Sequence, residues 1–287
     1  MGWRPPRVVA DSRARSSYEG RSGVQVMRTH RGLAVFCTAL GLLVLCGGAM
    51  VGVSTRPSSA SLPDLIAKQK VAIVLVGAYN PMAKPPVQFV GTGFCLAGQR
   101  LVATNWHVVQ PLIEAKRDKD LRIFSRGDRE SRGRSVVLRK QDPEHDLALL
   151  EYDGPAIPGL SIGDSARVRE GDAIAFTGYP LGPVLGLHPA THTGIISSIG
   201  PRAIPADVPS QLTPAMKHAL ENPFDVLQLD AVAFPGNSGS PVYLLTDGTV
   251  IGVVSNAHVR MTKERGLVGA TGICYAIPSV HLANLIQ

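Results

Sequence analysis

Cysteine is scarce in this 287-residue chain: there are four, and two of them, Cys37 and Cys46, fall in one apolar run. That leaves Cys95 and Cys274, which either join as a single disulfide in an oxidising compartment or stay as buried thiols in the apolar, strand-like runs that hold them. No His/Cys/acid spacing suited to a metal is present, and no cofactor is expected. His188 and His192 are four apart, but Pro189 and the flanking glycines argue against a helix that would aim both at one ion. Charge of one sign is lacking as well. All but one unit of the net charge of +7 belongs to the first 60 residues, which hold 8 Arg against 2 acidic residues and leave 21 Lys and Arg against 20 Asp and Glu beyond. A nearly neutral remainder removes the main reason to expect a nucleic-acid partner. Helical periodicity and internal repeats are also scarce. Only 61–70, 213–221 and 278–287 read as short helices, the first and last at the ends of the strand-rich part.

What the sequence does contain begins with "LAVFCTALGLLVLCGGAMVGV", 33–53, a run of 21 residues without a charge. It is long enough to cross a bilayer as a helix. Arg28 and Arg31 precede it and only Arg56 follows, so the positive-inside rule holds the N-terminus in the cytoplasm and exports the rest. The expected organisation is an Arg-rich flank at 1–32, a membrane-spanning signal anchor or signal peptide at 33–53, a polar linker at 54–63 and a folded domain at 64–287. Met27, in "MRTHRG", is an alternative start. Ser58-Ser59-Ala60 suits a processing site, whereas the length of the apolar run favours an anchor that is not cut. Cys46 follows Leu45, where a lipidation site wants a small residue. With a helix read at 278–287, no C-terminal peptide-binding module is expected.

Twelve short β-branched and apolar runs follow, six in each half: 70–78, 91–97, 99–105, 121–125, 134–141 and 146–152, then 172–180, 192–200, 225–232, 240–245, 248–256 and 270–278. Gly, Pro and Asp turns between them predict an all-β sandwich or a pair of barrels rather than a βαβ sheet. The connection 201–225 is long for a compact domain, and such loops are often functional. The run 116–134, with eight Lys or Arg and four acidic residues, reads as solvated surface.

Three residues carry candidate chemistry. "PGNSGSPV", 235–242, sets Ser238 among residues with almost no side chain. Taken alone it is a turn; taken as a site, it bares the backbone that a nucleophile and its oxyanion donors require. "LVATNWHVV", 101–109, runs an apolar strand into a small-residue turn, so His107 is expected to project from a strand end. In "DPEHDLALLEY", 142–152, Asp146 opens an apolar strand, where a buried carboxylate needs a cationic or N–H partner. The imidazole of His107 would supply one. His30, His145, His218, His258 and His281 show no paired signal. The order His, Asp, Ser matches the chymotrypsin arrangement and differs from those of subtilisin and the α/β-hydrolases.

Taken together, "GTGFCLAGQRLVATNWHVV", "DPEHDLALL", "TGYPLG", "GIISSIG", "LQLDAVAFPGNSGSPV", "VIGVVS" and "GICYAIPS" resemble the trypsin-like serine proteases, in their bacterial HtrA/DegP-like branch, colinearly over roughly 64–287. The resemblance implies two six-stranded antiparallel β-barrels with the active site between them, and extracytoplasmic hydrolysis of peptide bonds in proteins or peptides. It implies a catalytic triad of His107, Asp146 and Ser238 and an oxyanion hole from the backbone N–H groups of Gly236 and Ser238. It also implies an uncharged primary pocket lined by Val232, Ala233, Asn256, Ala257 and Ile273, with the backbone of Ser255–Ala257 pairing with the substrate. The chain departs from that branch in three places: Trp106 stands in place of Asn, Ser240 in place of Gly, and the usual PDZ domain is missing. The alternatives are a silent protease fold used for binding or as a scaffold, and an enzyme gated at rest through its 201–225 insertion.

Overall fold

The computed structural model describes residues 61–125, 132–180, 188–201, 221, 223–255 and 273–287. The apolar run 33–53, the linker up to residue 60, most of the 201–225 insertion with its expected helix at 213–221, and residues 256–272 lie outside the described residues. Among the described residues no helix is long and apolar enough to cross a membrane.

Twelve strands form, one for each of the twelve runs. In chain order they are β1 (Ile73–Tyr79), β2 (Val87–Cys95), β3 (Leu101–Thr104), β4 (Leu121–Phe124), β5 (Arg134–Asp142) and β6 (Leu147–Tyr152), followed by β7 (Ala173–Gly178), β8 (Ala190–Pro201), β9 (Asp225–Asp230), β10 (Pro241–Leu244), β11 (Val250–Ser255) and β12 (Ile273–Pro278). The first six close into one barrel in the order β1-β2-β3-β6-β5-β4, and the second six into another in the order β10-β11-β12-β9-β8-β7. Every neighbouring pair is antiparallel. Bulges at Val76/Gly77, Leu138/Lys140, Ile196/Ser198 and Val242/Tyr243 break the register and supply the bends that closure demands.

Each barrel fills its interior with aliphatic side chains, such as Val74, Val102 and Leu150 in the first and Ile174, Leu229 and Val254 in the second. A third cluster, with Phe94 and Leu149 from one barrel and Val253 and Ile277 from the other, joins the two. Fully burying side chains of this size is worth roughly 1.5–3 kcal/mol each, so this shared core holds the barrels against each other. Cys95 lies on β2 and Cys274 on β12; both are free and buried, and burial pushes both thiols up to about 12. The buried-thiol reading therefore holds, and the disulfide does not form.

Two expected helices are present. Helix α1 (Leu62–Lys70) is capped by Ser61, whose Oγ accepts from Asp64 N, and is docked on the second barrel through Gln69 Nε2 donating to Gly248 O at 2.9 Å. The last helix, Ser279–Ile286, is α3 below. Between them the structure adds a helix that the strand reading missed. Residues Trp106–Glu114 form α2, which places His107 in a helical first turn and not at a strand end. Val108, Val109 and Leu112 bury its inner face; this helical spacing is interrupted in the sequence by Pro111, which reads as a breaker.

Candidate active site

Asp146 is the residue around which the site is built. It has φ of +54°, a left-handed conformation that Asp tolerates better than most residues, and it is 6% exposed. That conformation turns both its carbonyl and its carboxylate toward the start of α2. The carbonyl accepts from Trp106 N at 3.1 Å and Asn105 Nδ2 at 2.9 Å. One carboxylate oxygen accepts from His107 N at 2.9 Å, and the other lies 2.7 Å from His107 Nδ1. Asp146 thus satisfies two of the orphan N–H groups that open a helix, and its negative charge sits at the positive end of the helix dipole. Asn105 occupies the N-cap position but makes no side-chain capping bond; Asp146 caps α2 from the start of the neighbouring strand instead.

A further donor completes the carboxylate. Ser255 Oγ, at the end of β11 in the second barrel, donates to Asp146 Oδ2 at 2.8 Å. The sequence reading gave Ser255 only a backbone role; the buried hydroxyl on the acid is an addition that nothing local signals, since the two residues are 109 apart. A buried carboxylate holding donors from His107 and Ser255 has its desolvation offset.

Ser238 enters from the second barrel, on the loop before β10. Its carbonyl accepts from Thr92 N on β2 at 2.9 Å, and the next N–H, of Gly239, donates to Val254 O at 2.9 Å. Thr92 Oγ1 also donates to Gly236 O at 2.7 Å and accepts from Tyr179 N at 3.0 Å. The loop is thereby bonded to both barrels. A Cβ placed on Gly91 would stand 2.9 Å from both Val108 methyls and 3.2 Å from Ser238 O, so the residue after His107 and the backbone of Ser238 pack against one bare position. The hydrogen bonds of the described residues do not include one from Ser238 Oγ to the imidazole, a contact of the kind that tightens when substrate binds.

Gly236 has φ of +98° and Gly239 φ of +87°, values that side chains rarely adopt. Asn237 N donates to Phe234 O at 3.0 Å, while the N–H groups of Gly236 and Ser238 on either side take part in none of the hydrogen bonds of the described residues. A Cβ on Gly239 would lie 2.0 Å from Thr92 O and 2.5 Å from Thr104 Oγ1. Gly239→Ala is therefore expected to destabilise the fold by about 3 kcal/mol or more, through backbone strain and overpacking together. Thermal unfolding checks this: an unchanged melting temperature would contradict the geometry.

Ser240, where the resemblance implied Gly, is fully buried and is not among the positive-φ residues. Its hydroxyl fills the space where Gly178 has no side chain, 2.0 Å from where a Cβ would stand. A bare position on β7 gives the side chain room, but the buried Oγ has no hydrogen-bond partner among the described residues. Val232 and Ala233 lie on the Ser238 loop, Val232 37% exposed and Ala233 packed on the second barrel's core. Asn256 and Ala257, and the side chain of Ile273, lie outside the described residues. Among the described residues no cluster of His, Cys, Asp or Glu is arranged to hold a metal.

Comparison with known proteins bears on this geometry. Residues 91–253 match the model of a trypsin-like peptidase domain. A probable periplasmic serine endoprotease DegP-like of Pseudomonas fluorescens is 28% identical over 228 residues, which cover 77% of this chain and 40% of that protein. One from Halomonas elongata is 32% identical over 189 residues, covering 66% of this chain and 32% of the relative. The chain thus spans at most two fifths of the length of these two curated relatives. Among solved structures, the HtrA-type protease AlgW with decapeptide superposes with a TM-score of 0.57 at 24% identity, covering 79% of this chain and 66% of that one. The same protease with tripeptide gives 0.55. These two likenesses are ones of fold.

Proposed function

The chain belongs to the trypsin-like peptidase family, and from that premise we propose that residues 64–287 form a serine endopeptidase in which Ser238 is the nucleophile, His107 the general base and acid, and Asp146 the group that orients His107. One observation carries the reading: a buried carboxylate grips the ring and the backbone of one histidine, at 2.7 and 2.9 Å. Asp146 then fixes the proton on His107 Nδ1 and leaves Nε2 free to accept.

As Ser238 Oγ bonds to the scissile carbonyl carbon, its proton passes to His107 Nε2 and the carbonyl oxygen takes the negative charge. Gly236 N–H and Ser238 N–H stabilise that oxyanion, at about 3 kcal/mol of barrier per donor. The C–N bond then breaks, the amine leaves with the proton from His107, and an acyl ester remains on Ser238. Water repeats the sequence with His107 as base, releasing the acid and restoring the hydroxyl. Val232 and Ala233 carry no charge, which supports a small or medium aliphatic residue before the cut. The relatives are named as periplasmic, and the charge-free 33–53 run with Arg28 and Arg31 before it supports an extracytoplasmic domain held by a membrane anchor.

The test is to treat residues 61–287 with a fluorophosphonate probe and map the adduct by peptide mass. Label on Ser238 is expected. No label, or label elsewhere, overturns the reading in favour of a silent protease fold. Label that forms only after a peptide or a membrane is added identifies a gated enzyme.

A further inference from the structure

The Asp146–His107 pairing has a duplicate four residues up the chain. Asp142 Oδ1 accepts from His145 N at 3.1 Å, and Asp142 Oδ2 lies 2.7 Å from His145 Nδ1. This second pair sits on the β5–β6 turn, whose last residue is Asp146. No nucleophile faces it among the described residues. The His145 ring is instead stacked on His281 of α3, with ring centres 3.8 Å apart and planes at 20°, and Phe224 meets both rings edge-on at 4.7 and 5.3 Å. His281 and Phe224 belong to the half of the chain that builds the second barrel, whereas His145 belongs to the first. The stack therefore ties the half that supplies His107 and Asp146 to the half that supplies Ser238, at the residue adjoining Asp146.

We propose that the Asp142–His145–His281–Phe224 stack is a positioning brace that sets the His107–Asp146 pair against Ser238, and that protonation of His281 loosens the brace and lowers turnover. A proton on His281 is disfavoured by its half-burial and by the His145 ring stacked on it at 3.8 Å. The charged groups around the pair are Asp142 and Glu144 of the turn, which favour a proton on His281; burial and His145 outweigh them and hold His281 below the ordinary imidazole range. The sign follows. A base kept neutral by the fold contributes stability above its unfolded value, and that stability is lost as pH falls below it. The brace is thus closed at neutral pH and opens on acidification.

This inference rests on the endopeptidase reading of Ser238, His107 and Asp146, and the experiment separates the two. His281→Phe keeps an aromatic ring on His145 and removes the titration; His281→Lys places a permanent charge there. With a peptide substrate, the acid limb of kcat against pH is expected to be steeper than one proton in the native enzyme and to become a single-proton limb in His281→Phe. His281→Lys is expected to lower kcat at neutral pH about two- to tenfold, the range of an aromatic contact of this kind, with KM nearly unchanged. Melting between pH 7.5 and 5.5 is also followed in an inactive Ser238→Ala background, with His281 retained and with His281→Phe added, so the readout does not depend on activity. A larger acid-induced fall is expected where His281 is retained. Identical acid limbs and identical melting shifts with and without His281→Phe overturn the brace, even where Ser238 labels normally.

Discussion

Ser238→Ala is expected to lower kcat by a factor on the order of 10⁶ while the protein stays folded. The structure makes this a clean deletion. What holds the loop is backbone, with Ser238 O accepting from Thr92 N and Gly239 N donating to Val254 O, and alanine preserves both bonds. Ser238 is 7% exposed, and removing one oxygen there leaves no buried donor stranded among the described residues. Stability should change by less than about 1 kcal/mol. The oxyanion donors of Gly236 and Ser238 survive as well, so a residual rate about 10³-fold over uncatalysed hydrolysis should remain. Steady-state kinetics beside a thermal melt decide the matter. A variant that keeps more than about a hundredth of native kcat would remove Ser238 from the role of nucleophile, and a collapse in melting temperature would show that the loop's structure depends on the hydroxyl.

How much of this was legible in the sequence depends on the range of the interaction involved. Strands are written locally, in β-branched runs separated by turn residues, and all twelve form where those runs lie. The three candidate residues stand out in the sequence through their order and through the bareness of the 235–242 stretch. Helix α2 was not, because its cap is Asp146, 41 positions from Asn105, and because Pro111 interrupts its apolar face. The same distance hid Ser255, whose hydroxyl reaches the carboxylate only once both barrels have closed. His145 and His281 show no pairing in sequence because what unites them is the docking of α3 on the β5–β6 turn. Ser240 was legible as a departure, but the space that receives it was not, since that space resides at Gly178, on another strand.

Asp146→Asn is the sharper probe of the site, since it changes one atom and is expected to lower kcat by about 10⁴ with the fold intact. The carboxylate now accepts at both oxygens: His107 N on Oδ1, and Ser255 Oγ together with His107 Nδ1 on Oδ2. An amide has one oxygen. If it keeps the bond from His107 N, which caps α2, the NH₂ must face Nδ1 and Ser255 Oγ. Ser255 can rotate its proton away and accept. Nδ1 can accept only by giving up its proton, so the ring moves to the tautomer protonated at Nε2, which cannot take a proton from Ser238. Binding groups and oxyanion donors are untouched, so KM should move by less than about threefold, placing the whole loss in the chemical step. Asp146→Ala differs in kind: it also uncaps α2 and strands Ser255 Oγ, adding a stability loss of about 1–3 kcal/mol. Comparing the two by kinetics and melting separates orientation of the imidazole from support of the helix. Near-native kcat and melting in Asp146→Asn, beside losses of both in Asp146→Ala, would mean that Asp146 serves the helix alone.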